Sequence, residues 1–297
     1  MRRFFLSIKI FYLLIPTGWA QERAIAFNTA VSANWTRGEL SGQADFNLAQ
    51  AGLRLPTGRF QAEETLRQAY PQLLQPYLLS IRVDSNSIVR DLVDNRELSL
   101  NEINNISREA ERSAPYLSTD LSRMTSSFTI GLDRISEQLI RHRVLNEPIR
   151  PLIPVQTPDY TGIVILATDE LPIHGRMSRA LLEPCLFPKI WDTDMNLIYD
   201  VSMFDGSRGN NMVVRYASPQ DIFRPTPSGM DEELLAFTGE NPLRIIARGV
   251  FGANPTDPII DRSDAMLILS SENNRRLLRE GRVVLVLNET QAMHKIE

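Results

Sequence analysis

Four prolines, Pro148, Pro151, Pro154 and Pro158, recur every three or four residues between Asn146 and Pro158. Each fixes its own φ and withholds a backbone donor, so neither a helix nor a central strand can run through this segment. A proline-spaced stretch of this kind behaves as a semi-rigid connector. It divides the 297 residues into pieces that are each long enough for a core. The expected fold class is α+β, with two small mixed modules: residues 24–145, a Pro-rich linker over 146–158, and a strand-rich module over 159–290.

In the first module, Ala33–Ser41 reads as a short opening strand. Phe60, Leu66 and Tyr70 are spaced for a helix over Arg59–Tyr70, which Pro71 and Pro76 then kink or end. Leu79–Leu92 reads as a strand entering a turn or short helix, Thr125–Leu132 as a strand and Asp133–His142 as a helix. Ser99-Leu100-Asn101-Glu102 has the form of a capping box and opens a helix to about Ser113. In the second module, Thr161–Thr168 is almost wholly apolar over the length of a strand, the pattern of a central strand covered on both faces. Phe187–Trp191 and Asn196–Tyr199 flank an acidic hairpin turn at Asp192-Thr193-Asp194-Met195. Met212–Tyr216, Pro242–Gly249 and Val283–Leu287 add strands. Ser263–Arg279 adds a helix, capped by Ser263 and stopped at Gly281.

Arg2 and Arg3 precede an apolar run from Phe4 to Ile15, and small residues stand at Gly18 and Ala20. That order is the layout of a secretory signal peptide over residues 1–20, cut between Ala20 and Gln21. The run falls short of the roughly 20 residues that span a hydrocarbon core; an uncleaved anchor is the competing reading. No later stretch approaches a span, so the cleaved chain is expected in the periplasm or envelope with no membrane span. A lipid anchor would need a cysteine at the cut, whereas the one cysteine is Cys185. Its setting, Leu-Glu-Pro-Cys-Leu-Phe-Pro, predicts a buried, inert thiol. The net charge of −4 supplies no basic field for nucleic acid.

Side chains that carry chemistry are scattered. His142, His174 and His294 share no ligand spacing, so no metal or cofactor site is expected. Asp192-Thr193-Asp194-Met195-Asn196 begins like a calcium loop, but Leu197 stands where glycine is needed and Met203 where glutamate is needed. His174, in Leu-Pro-Ile-His-Gly, is the one histidine with a functional reading: a hydrolase base paired with a carboxylate such as Asp169. No nucleophile elbow and no phosphate-cradling loop is present. Aromatic residues are the remaining candidates. Trp35 would anchor a partner, or else pack its strand on the following helix with Gly38 allowing close approach. Tyr160, Phe187 and Trp191 would line a pocket at the module junction.

A family resemblance adds to this. Asn34-Trp35-Thr36-Arg37-Gly38, the helix Gln61–Tyr70, and Ile81-Arg82-Val83-Asp84-Ser85 followed by Ile88-Val89-Arg90-Asp91 form one series. It resembles the opening of the bacterial family that joins LPP-type lipoproteins to the flagellar assembly T protein, a component of a ring around the flagellar motor. Tyr160–Ala167, Leu186–Ile190, Asn196–Asp200, Gly239–Ala247 and Asp257–Ala265 are similar to sequences that accompany that domain in envelope proteins. The resemblance implies a non-enzymatic envelope protein with a structural or assembly role at the flagellum or its motor ring. Its partners would be other envelope or flagellar proteins, or a second copy. The alternatives are a periplasmic module binding a small molecule or polysaccharide, and the His174 hydrolase.

Overall fold

The computed structural model describes residues 27–140, 148–149, 151, 155–206, 212–224 and 229–296. The signal segment with its cut at Ala20 and Gln21, His142 and much of the 146–158 linker lie outside the described residues.

The first part opens with a hairpin, β1 (Phe27–Asn34) and β2 (Glu39–Asn47). Residues 33–41 are therefore not one strand but the end of β1, a turn and the start of β2. The turn is built locally: Asn34 Oδ1 accepts from the Thr36 hydroxyl at 2.8 Å and the Arg37 amide at 3.1 Å, and Gly38 takes φ +64°. Helix α1 (Arg59–Leu79) buries Ala62, Leu66, Tyr70, Leu74 and Leu78 as one stripe, each four residues from the last. It runs through Pro71 and Pro76 instead of ending. Pro71 and Pro76 have no N–H to give the carbonyls of Arg67 and Gln72 four residues back, and both of those residues are exposed, where an unbonded carbonyl costs little. Next come α2 (Val89–Asp94), α3 (Leu100–Arg108), β3 (Glu111–Arg112), β4 (Tyr116–Leu117), β5 (Arg123–Gly131) and α4 (Leu132–Ile140). Ser99 caps α3 as expected, accepting from the Glu102 amide while its own amide donates to the Glu102 carboxylate at 2.8 Å. The expected strand over Leu79–Leu92 is reduced to a single bridge between Arg82 and Ile88 ahead of α2.

The second part contributes β6 (Ile163–Ala167), the small hairpin β7 (Leu171–Pro172) and β8 (Arg179–Ala180), β9 (Ile190–Asp192) and β10 (Leu197–Tyr199). After these come β11 (Arg215–Ala217), α5 (Pro219–Ile222), α6 (Glu232–Thr238), β12 (Leu243–Ile246), β13 (Gly249–Phe251) and β14 (Asp257–Ile260). The chain then forms α7 (Arg262–Ser270), α8 (Glu272–Arg279), β15 (Val283–Leu287), α9 (Glu289–Ala292) and β16 (Met293–Ile296). The helix expected over Ser263–Arg279 is thus two helices, broken at the extended Ser271 and capped by Asp261 rather than Ser263.

A parallel sheet, β11-β15-β6-β12, holds β6 between two parallel neighbours, as its apolar run requires. Its strands bury alternate residues in two cores. Ile163, Ile165 and Leu285 join the main core, while Val164, Val284 and Val286 pack with Ile222 and Leu234 from the α5 and α6 side. A mixed sheet, β10-β9-β14-β13, completes the strand-rich half.

The two parts are not independent beads on a connector. The first sheet has the order β16-β1-β2-β5-β3, so its edge strand comes from the far end of the chain, with Val31 opposite Ile296 and Asn34 opposite Met293. Near the Arg82–Ile88 bridge, Leu186 and Phe187 donate backbone amides to Arg82 and Val83 at 3.0 and 2.8 Å. Arg82 is ion-paired with Glu183, and the Asn254 amide reaches the Ser85 carbonyl. One continuous apolar core runs through both parts.

Candidate functional site

The seam holds a buried polar cluster. Asp257, at the start of β14, is 1% exposed, and its Oδ1 accepts from the Lys189 amide at 3.2 Å and the Thr256 hydroxyl at 2.9 Å. Burial pushes its pKa up, while the Lys189 amide, the hydroxyls of Thr256 and Ser85, and the Trp191 indole pull it down more weakly. Oδ2 and the Trp191 indole nitrogen each fall short of a well-formed hydrogen bond. Cys185 is fully buried beside this cluster; burial first, and the Asp257 charge second, push its thiol far up, so it stays protonated. The Tyr216 hydroxyl closes the arrangement, donating to the Cys185 carbonyl at 2.7 Å and accepting from the Cys185 amide at 3.0 Å. These groups hold backbone to backbone and present no activated nucleophile.

On the solvent side of Tyr216 lies a cleft of about 620 Å³, within the ordinary range for ligand sites. The Trp35–Glu39 turn, the end of α3 with β3, and the β5–α4 corner form one wall; Met212, Arg215 and Tyr216 with Glu233 of α6 form the other. Trp35 and Tyr216 meet edge-on across the seam, ring centres 5.5 Å apart. Five carboxylates, Glu39, Glu109, Glu111, Asp133 and Glu233, share the cleft with the guanidinium groups of Arg37, Arg134 and Arg215. Neither histidine nor cysteine lines it.

Of the four aromatic residues singled out in the sequence, Trp35 alone lines this cleft. It is 3% exposed and packs on Tyr216 of the second part, an internal contact that neither reading of it anticipated. Phe187 is buried at the seam, joined to Val83 through its backbone. Trp191 is half-buried, edge-on to Phe251 at 5.5 Å. Tyr160 is half-buried and clasped by α8, its amide donating to Asn274 Oδ1 and its carbonyl accepting from Asn273. This cleft is lined by Trp35, Tyr216 and charged side chains, with none of Tyr160, Phe187 and Trp191 on its walls. Those charged residues come from five separate elements and leave no local spacing to read.

His174 sits exposed in the turn between β7 and β8, edge-on to Phe251 at 5.9 Å, and neither a hydrogen bond nor an ion pair joins it to the exposed Asp169. Asp192 staples its own hairpin, accepting from the amides of Asp194 and Asn196 at 2.9 and 2.8 Å, while Asp194 is ion-paired with Arg262. Among the described residues no group of three His, Cys, Asp or Glu side chains is placed to hold a metal ion. Nor is any described helix long and apolar enough to cross a membrane.

Residues 26–138 match the family model of the N-terminal domain of Treponema pallidum Tp0624, and residues 162–289 match that of its second domain. Both parts resemble Tp0624 domains, in the same order. Neither match is to the LPP-type lipoprotein or flagellar assembly T family. No curated protein matches the chain. Strand β16 lies beyond both matched ranges, although it completes the sheet of the first.

Proposed function

We propose that this chain is an exported envelope protein that works by holding a partner rather than by catalysis, with the cleft at the seam as the holding surface. The observation that carries this reading is the cleft itself: a concave, charged surface assembled from both parts, with neither histidine nor cysteine on its walls. The basic-apolar-small order of residues 1–20 supports export. The sequence resemblance to envelope proteins supports a structural or assembly role, at the flagellum in its most specific form.

The test is made in the native bacterium. Fractionation with N-terminal sequencing is expected to find the chain in the periplasm beginning at Gln21. In-cell cross-linking is expected to trap an envelope protein that Glu111→Arg, on the cleft wall, releases. Recovery from the cytosol with the first twenty residues intact would overturn the export reading. A trapped partner unaffected by Glu111→Arg would overturn the role of the cleft. Normal motility and normal flagella in a deletion strain would remove the flagellar form of the proposal.

A further inference from the structure

The charges of the cleft do not balance. Glu39 pairs with Arg37 at 3.7 Å, and Glu233 with Arg215 at 3.3 Å, where Arg215 also lies over the Phe237 ring. Glu109, Glu111, Asp133 and Arg134 line the same cleft with no ion pair among the described residues. Three carboxylates against one guanidinium leave the concavity net negative, and a concave wall with an excess of one sign attracts counter-charge. A second signal comes from Trp35. It stands on the cleft wall almost wholly buried, and its indole N–H has no acceptor among the described residues. An interior N–H without a partner is uncommon, and its complement is a carbonyl or another acceptor.

We infer that the cleft takes a basic peptide segment of the partner, lysine or arginine side chains meeting Glu109, Glu111 and Asp133 while a peptide carbonyl meets the Trp35 indole. This rests on the partner-holding reading above. A free polyamine would answer the carboxylates and leave the indole unanswered. An acidic peptide would answer Arg134 alone. The open cleft and its charge suit a short extended segment, in which side chains alternate and carbonyls stay free.

The experiment uses the purified full chain and fluorescence anisotropy with a labelled decapeptide alternating lysine and alanine, its glutamate–alanine counterpart, and spermidine as competitor. The lysine peptide is expected to bind, the glutamate peptide not to bind, and spermidine to compete only at much higher concentration. Glu109→Gln/Glu111→Gln/Asp133→Asn is expected to weaken the lysine peptide by about tenfold, the sum of three surface charge contacts. A control, Asp94→Asn/Glu97→Gln/Glu170→Gln, neutralises three exposed acids outside the cleft and is expected to leave affinity unchanged. Circular dichroism confirms that both variants fold. Equal weakening by the control, equal binding of the glutamate peptide, or competition by spermidine at the peptide's own concentration would each overturn the inference. Should no basic peptide bind while Glu111→Arg still releases a cross-linked partner, the peptide chemistry is wrong and the partner-holding reading stands.

Discussion

Replacing Tyr216 by phenylalanine tests, at a single atom, the anchor of the segment that the second part presents to the seam. Among the described residues the hydroxyl is the one partner of both backbone groups of Cys185, donating at 2.7 Å and accepting at 3.0 Å, and Cys185 itself is closed to water. Phenylalanine keeps the ring, and with it the edge contact to Trp35, so the comparison isolates the hydroxyl. A buried donor or acceptor left without a partner costs about 1–3 kcal/mol. Two are orphaned here, and the variant avoids burying the phenol oxygen, so a net loss of about 2–4 kcal/mol follows. At about 2–4 °C of Tm per kcal/mol in a domain of comparable size, the melting temperature falls by roughly 4–16 °C. Urea unfolding at pH 7, followed by far-UV circular dichroism and by tryptophan fluorescence, measures it. A loss below about 0.5 kcal/mol, the range of ordinary surface substitutions, would refute the reasoning. It would mean that Cys185 finds other partners and that the Tyr216 hydroxyl does not hold the segment that meets the first part through Leu186 and Phe187.

Two further outcomes follow from buried geometry. Asp257 has its pKa raised by burial, so the folded state holds the proton to higher pH than the unfolded chain does. Its contribution is therefore most favourable below the unfolded carboxylate pKa and is lost as pH rises through the raised value. The stability of the parent relative to Asp257→Asn is expected to fall as pH rises above about 4 in urea titrations, and a difference that grows with pH would contradict the assignment. A Cβ at Gly42 would stand 2.1 Å from the Ala30 carbonyl oxygen and 2.9 Å from Phe128 Cζ, so Gly42→Ala is expected to cost about 1–3 kcal/mol. A neutral result by thermal melting would contradict the registers that set Gly42 opposite Val31 and Phe128.

Local signals were readable. Ser99 and Glu102 announced their helix, because both halves of a capping box lie within four residues. The apolar run around Ile163–Ala167 announced a strand with two covered faces. Errors arose where a distant contact decided the outcome. Arg67 and Gln72, whose carbonyls Pro71 and Pro76 free, are exposed residues, while Leu74 and Leu78 complete the apolar stripe of α1, so the helix passes through prolines that propensity alone would place at its end. The turn at Trp35–Gly38 depends on Asn34 folding its side chain back over it, a signal present in Asn-x-Thr-Arg-Gly but weaker than the apolar spacing of Trp35 and Leu40. The cleft was the least legible feature. Glu109, Asp133 and Glu233 meet there through pairing between distant strands, and nothing in their neighbourhoods along the chain marks them as companions.

Strand β16 is made after everything it pairs with. Until residues 293–296 are laid down, half the hydrogen-bonding edge of β1, from Val31 to Asn34, has no neighbour. Any fragment trimmed to residues 26–138 inherits that bare edge permanently, an invitation to stack on other chains. Expressing the first part well will therefore require supplying the missing tetrapeptide, by a loop fused ahead of β1 or in trans.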